Sequence, residues 1–321
     1  MKAVRIHQQG GPDVLRYEEC PDPVPGHGEA LVRLQAIGVN FIDTYQRSGL
    51  YRLELPATLG QEGAGVVEAM GEGVSEVHAG DTVVYQGVTG AYAEIAVVPS
   101  KALVKLPQGI DARTAAAVFT QGLTAHYLCH STYPVKQGDQ VLVHAGAGGV
   151  GLLLIQVLKR LGAYVFTTVS TEEKTKLAKE AGADHVVLYT REDFGEAVKK
   201  ATGGEGLQVV YDSVGKTTFR KSLDCLAPRG YMVLFGQSSG PVEPFPPGDL
   251  RLKSLFLTRP SLAHHVATRE DLLQRSKDLF EWVRSGQVKV HIHKAYPLSD
   301  AAKAHRDLEG RRTIGKLLLI P

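Results

Sequence analysis

The sequence predicts an α/β fold, a doubly wound parallel sheet joined to a mainly antiparallel β module, and three observations lead there. Residues 140–151 read Gln-Val-Leu-Val-His-Ala-Gly-Ala-Gly-Gly-Val-Gly, a short apolar run followed at once by glycines spaced G-x-G-x-x-G. From residue 141 to 258 strand and helix patterns alternate, the rhythm of βαβ units. Before residue 111 the patterns are short, β-like and punctuated by glycine and proline.

In chain order, residues 2–8 and 14–20 read as strands joined through Gly10-Gly11-Pro12-Asp13, a hairpin signal. The Pro/Gly-rich stretch 21–28 is a loop. Residues 29–39 alternate as a half-buried strand does, and 40–48 form a short helix closed by Gly49. Further strands are expected at 63–68, 81–85, 91–98 and 102–106. The alternating half then gives strands at 141–144, 164–169, 185–188, 207–212, 231–235 and 254–258. Helices are expected between them at 150–161, 172–181, 192–201 and 217–226. A Pro/Gly-rich surface loop covers 238–248. An amphipathic helix at 269–285, strands at 288–293 and 315–320, and a helix from Asp300 close the chain. With the alternation over, these return to the first module, so the domains are 1–121 with 262–321, and 122–261 inserted between them.

The glycine stretch sets the chemistry. Gly146, Gly148, Gly149 and Gly151 lie between a buried strand and a helix whose Val150, Leu153, Leu154, Val157 and Leu158 share one face. Bare backbone allows a pyrophosphate close approach, and the helix N-terminus offers free N–H groups to the anion. In that strand–loop–helix context the motif predicts dinucleotide binding.

Composition excludes other classes. The chain has 36 basic and 34 acidic residues, a formal net charge of +2, and is 43% hydrophobic. No strong pull toward nucleic acid or membrane follows from that balance. The first residues carry no signal-peptide core, and the apolar run after Gly151 meets Gln156 and Lys159. Cys20, Cys129 and Cys225 are odd in number and far apart, which fits free thiols in a reducing cytoplasm. No metal site is expected. His126 with His130, and His291 with His293, are pairs without a visible third ligand.

The whole chain resembles the zinc-free quinone oxidoreductases of ζ-crystallin type, within the medium-chain dehydrogenase/reductase superfamily. The resemblance is carried by Gly38-Val39-Asn40-Phe41-Ile42-Asp43, Gly60-Gln61-Glu62-Gly63-Ala64-Gly65, Ala79-Gly80-Asp81, the stretch 144–151, Tyr211-Asp212-Ser213-Val214-Gly215 and Thr258-Arg259-Pro260-Ser261-Leu262. It implies a GroES-like catalytic domain and a Rossmann domain. It also implies that Asn40, Tyr45, Tyr51 and Gln61 surround the nicotinamide and acceptor, with Ser213, Phe235, Gly236 and Ser238 along the cofactor and Arg259 near the pocket. Zinc relatives carry Cys and His where this chain has Asn40 and Gln61, and Gln is a poor zinc ligand. Without a Lewis acid, reduction of an already electrophilic acceptor fits better than alcohol oxidation.

NADPH is the expected cofactor. NAD-binding sheets place a carboxylate at the end of the second strand; here Ser170 stands there, with Lys174 four residues on and Tyr189 past the third strand. A helix capping box from Ser170 and Glu173, and an N-cap role for Asn40, are the plainer alternatives. Asn40 is the only asparagine in the chain. The implied function is NADPH-dependent quinone reduction. Reduction of enal or enone C=C bonds, or NADPH binding without turnover as in lens or RNA-binding relatives, are the alternatives. The apolar strand 254–258 is expected at a sheet edge, pairing with its copy in a homodimer.

Overall fold

The computed structural model describes all 321 residues. The chain divides into two compact units: Met1–Leu123 with Val266–Gly286 and Val290–Pro321, and Thr124–His265 with Gln287–Lys289.

The first unit opens with β1 (Lys2–Ile6) and β2 (Arg16–Glu19), antiparallel with Lys2 opposite Glu19. The second strand starts later than its pattern suggests. Pro12–Val14 winds a 3-10 turn instead, Pro12 having a fixed φ and no donor for a ladder. β3 (Glu29–Val39) alternates buried Ala30, Val32 and Leu34 with more exposed neighbours, then becomes buried throughout from Ile37. It therefore carries the chain into the interior just where α1 (Phe41–Ser48) begins. Gly49 closes α1 at φ 83°, a left-handed value that glycine adopts without strain. β4 (Ala57–Thr58) pairs with β1, and β5 (Glu62–Met70), β6 (Thr82–Gln86), β7 (Ile95–Pro99) and β8 (Val104–Lys105) follow. β7 begins four residues after the expected start, because Tyr92 and Ala93 are taken by β1: Val4 N–H bonds the Tyr92 carbonyl, and Ala3 bridges Ala93.

One element had no counterpart in the sequence reading. α2 (Ala112–Tyr127) is a full helix that runs on into a π turn at Leu128–Thr132.

In the second unit the expected alternation is present. It runs β9 (Gln140–Val143), α3 (Gly149–Arg160), β10 (Tyr164–Val169), α4 (Glu172–Glu180), β11 (His185–Leu188), α5 (Phe194–Ala201), β12 (Leu207–Asp212), α6 (Phe219–Asp224), β13 (Leu226–Leu234) and β14 (Phe256–Thr258). All six strands are parallel, in the order β11-β10-β9-β12-β13-β14. The order runs outward both ways from β9 and β12, the doubly wound arrangement whose reversal point opens a crevice at the strands' carboxyl ends. Its core, Leu142, Phe166, Val210, Phe219 and Met232, is almost fully buried. Burial of each such side chain contributes about 1.5–3 kcal/mol. β14 is shorter than expected and lies at the sheet edge, with Phe256 half-exposed.

After α7 (Leu262–His265) come α8 (Arg269–Arg284), β15 (Ile292–Pro297), α9 (Ala301–Glu309) and β16 (Lys316–Ile320). β15 starts four residues beyond its expected position, set by parallel pairing of Ile292 with Lys316. β16 runs antiparallel to β3, with Leu318 opposite Gly38. The seven-stranded sheet reads β15-β16-β3-β5-β6-β8, with β7 also on β3. No helix is long and apolar enough to cross a membrane.

Candidate active site

In the second unit the glycine loop is held by its neighbours. Gly146 N–H bonds the Thr168 carbonyl at 3.1 Å, and the Thr167 hydroxyl donates to the Val143 carbonyl at 2.7 Å. A Cβ on Gly146 would fall 1.9 Å from Thr167 Oγ1, and one on Gly151 would fall 2.3 Å from the Ala145 carbonyl oxygen. These two glycines are required by close packing of loop, strand and helix. Gly148 has more room, and as N-cap of α3 it supplies no side-chain hydrogen bond, so the first N–H groups of α3 are not capped by a side chain. A polar anion suits that end.

The other candidates follow directly from the parallel topology, because all six strands end on one edge. Ser170 follows β10, Tyr189 follows β11, Ser213 follows β12, Phe235 and Gly236 follow β13, and Arg259 follows β14. Val150 lies in the first turn of α3 and Lys174 in that of α4. Tyr189 is exposed, while Ser170, Lys174, Ser213 and Ser238 are half-buried. Arg259 donates from Nη1 to the Leu234 carbonyl at 3.1 Å, tying the ends of β13 and β14.

The capping box read at Ser170 is not formed. Thr171 is the N-cap of α4, its hydroxyl accepting from Lys174 N–H at 3.2 Å. Ser170 is thus not consumed as a cap.

Asp212 was missed in the sequence, although it stands within a quoted motif. Fully buried, it accepts from Val214 N–H at 2.7 Å and Gly215 N–H at 3.0 Å through Oδ1, and from the Thr218 hydroxyl at 2.7 Å through Oδ2. It shapes the loop presenting Ser213. Gly236 lies flat on that loop; a Cβ there would stand 2.6 Å from the Ser213 carbonyl oxygen. His144 is structural: its ring bonds the Thr168 and Ser222 hydroxyls at 3.0 and 2.9 Å, and burial lowers its pKa.

In the first unit Asn40 takes the N-cap position of α1, where no side-chain cap hydrogen bond forms. Asn40 and Asp43 nevertheless face each other as a capping box, with Asn40 N–H donating to Asp43 Oδ2 at 2.8 Å. The close hydrogen bonds of the carboxamide are made inward. Its Nδ2 donates to Glu62 Oε2 at 2.9 Å, and its Oδ1 accepts from Lys316 Nζ at 2.8 Å. Lys316 also pairs with Glu62 at 2.6 Å, both side chains being buried at 1% and 0% exposure. Glu62 stands within a quoted motif but Lys316 carried no signal, and their pairing was not visible because they lie 254 residues apart and meet only when β16 is laid beside β3.

A second buried chain starts at Asp43. Tyr92 Oη donates to Asp43 Oδ2 at 3.0 Å and contacts His305 Nε2 at 2.9 Å. Arg47 Nη1 lies 2.9 Å from His305 Nδ1, and Arg47 grips Glu309 with both terminal nitrogens. Guanidinium can only donate, so His305 Nδ1 accepts and the ring proton sits on Nε2. Burial, with Arg47 beside it, pushes His305 down to about 3. Burial raises Asp43 to about 7 against its hydrogen bonds from Asn40 and Tyr92.

Tyr45 and Tyr51 are brought together edge-on, ring centroids 5.3 Å apart, with Phe41 6.2 Å from Tyr45. Tyr51 N–H bonds the Tyr45 carbonyl at 3.0 Å, which ties the following loop to the helix. Gln61 is half-buried and reaches Thr89 Oγ1 at 3.5 Å. His126 and His130 lie close, at 4.7 Å between ring centroids, yet no group of three His, Cys, Asp or Glu is placed to hold a metal.

Comparison with known proteins places this geometry. The family described as alcohol dehydrogenase GroES-like domain matches residues 26–108, and that described as zinc-binding dehydrogenase matches 149–280. The chain is 48% identical to quinone oxidoreductase 1 of Escherichia coli, covering 99% of each chain. It is 43% identical to a 2-haloacrylate reductase of Burkholderia, over 99% of this chain and 98% of the other. The solved E. coli quinone oxidoreductase complexed with NADPH superposes with a TM-score of 0.98 at 47% identity, covering 100% of both chains. The chain belongs to the quinone oxidoreductase family of the medium-chain dehydrogenase/reductase superfamily.

Proposed function

We propose that this protein is a cytoplasmic, NADPH-dependent reductase of quinones that works without zinc. One observation carries the reading: full-length likeness to a quinone oxidoreductase solved with NADPH. The residues present fit that cofactor. The uncapped N-terminus of α3 and the open face at Gly148 suit the pyrophosphate. Ser170, free of capping duty, and Lys174 would take the 2′-phosphate. Tyr189, exposed past β11, would lie against the adenosine, and Ser213, Phe235, Gly236 and Ser238 would line the remainder.

Bound NADPH supplies a hydride, which with one proton converts a quinone to its hydroquinone. The acceptor side is assigned to Asn40, Tyr45, Tyr51, Gln61 and Arg259. The phenols of Tyr45 and Tyr51 would donate to a quinone oxygen and orient the ring, so that positioning rather than acid–base chemistry carries most of the rate. Zinc is disfavoured on electrostatic grounds. The oxygen of Asn40, at a zinc relative's ligand position, already accepts from the Lys316 ammonium 2.8 Å away, which a divalent cation would have to displace.

A second reading is reduction of activated C=C bonds, supported by the likeness to an enzyme named for a haloacrylate. NADPH oxidation with a quinone and with an enone, compared by kcat/KM, separates the two.

A further inference from the structure

We propose that Lys316 and Glu62 are positioning residues for the reduction, fixing which way round the Asn40 carboxamide faces; the inference rests on the assignment of Asn40 to the reaction site. An ammonium can only donate and a carboxylate can only accept. With Lys316 Nζ 2.8 Å from Oδ1 and Glu62 Oε2 2.9 Å from Nδ2, a reversed carboxamide would set donor against donor and acceptor against acceptor. The amide therefore has one sense. Left over is a second Nδ2 hydrogen, whose neighbour is the Gly38 carbonyl at a long 3.4 Å, while the Asn40 side chain also faces the Asp43 N–H of the capping box.

Glu62 is itself fixed, Oε1 accepting from Thr120 N–H at 2.7 Å. Gly38 makes the space for it: a Cβ there would stand 2.0 Å from Glu62 Oε2 and 2.8 Å from the Ala116 carbonyl oxygen. Three segments distant in sequence thus converge on a single amide. A buried pair of this kind is a poor route to stability, since apolar replacements are often neutral or better. Orienting Asn40 gives the pair a use that stability does not.

The test is a double-mutant cycle between the pair and Asn40, read with p-benzoquinone at saturating NADPH. Glu62→Gln with Lys316→Met removes both charges together and leaves no lone buried ion. The amide introduced at position 62 keeps its oxygen on Thr120 N–H and turns its NH2 toward Asn40, inviting the Asn40 carboxamide to reverse. The pair variant is expected to lose about tenfold or more in kcat, with KM for NADPH within about threefold and an unchanged or higher thermal midpoint. Asn40→Ala should lose a similar factor, and adding the pair change to it should cost nothing further. An unchanged kcat in the pair variant, or an equal loss with and without Asn40, overturns the positioning role. Full kcat in Asn40→Ala instead overturns the assignment of Asn40, and the inference with it. Should the pair variant not fold, the cycle runs with Lys316→Arg, which keeps the charge but displaces the donor, and the same outcomes decide.

Discussion

Replacing Asp43 with asparagine should expose a pH dependence that the native protein conceals. Asp43 and His305 are both fully buried and joined through Tyr92. Burial lowers His305 from 6.5 to about 3. Below pH 6.5 the unfolded chain therefore takes up a proton that the folded chain refuses, and stability falls as pH drops toward 3. Asp43 is shifted the other way, from 3.8 up to about 7. As pH falls through 7 the folded chain takes up a proton that the unfolded chain binds only near 3.8, so stability rises over that window. Each effect amounts to about 1.4 kcal/mol per pH unit where it acts, with opposite signs. Between about pH 6.5 and 4 they nearly cancel. The amide introduced at position 43 can still accept from Asn40 N–H and Tyr92 Oη, but cannot titrate. The variant should then lose about 3 kcal/mol more than the parent between about pH 6.5 and 4. Urea midpoints followed by circular dichroism at those two pH values measure it, with slopes compared to confirm equal cooperativity. Parallel pH profiles for parent and variant would refute the opposed titrations.

Other predictions concern cofactor, metal and assembly. Lys174→Ala should weaken NADPH by about 1.5 kcal/mol, the low end for a charge-assisted pair near solvent, and leave NADH nearly untouched; equal weakening of both makes the lysine a general support. Adding Ser170→Asp should move preference toward NADH, because a carboxylate repels the 2′-phosphate and accepts from the 2′-hydroxyl; dissociation constants at fixed ionic strength report it. Activity should survive chelation and elemental analysis should find no stoichiometric zinc; one zinc per chain with activity lost on its removal contradicts this. The half-exposed Phe256 on edge strand β14 should pair with its copy in a homodimer, and a monomer by sedimentation at micromolar concentration counts against it.

What could be read from the sequence was what local pattern encodes. β3 and β10 were found at their ends because alternation or a short apolar run between turn residues marks them. α1 was bounded by its own N-cap position and by Gly49. Ser170 was legible from the βαβ rhythm as the residue ending the second strand, whereas Ser213, Phe235, Gly236, Ser238 and Arg259 came from the family resemblance alone; the parallel sheet brings them to the same edge. α2 was not found because Ala115–Phe119, Leu123, Ala125 and Tyr127 are buried around most of its circumference, and its one narrow polar face, Arg113, Thr114, Thr120, Gln121 and Thr124, is built largely of small residues and interrupted by buried Ala117. The buried network of Glu62, Lys316, Asp43, Tyr92 and His305 was not legible either. Its partners are brought together by strand pairing across most of the chain's length, and no local spacing records that.

The proposed function requires that hydride from bound NADPH go to a quinone. Initial rates of NADPH oxidation with p-benzoquinone and with 2-cyclohexen-1-one, taken as kcat/KM on one preparation, test it most directly. The quinone should be preferred by about tenfold or more, the preference should persist after chelation, and NADPH should outperform NADH. A faster enone would assign the protein to C=C reduction. NADPH binding without oxidation by either acceptor would contradict the enzymatic reading itself.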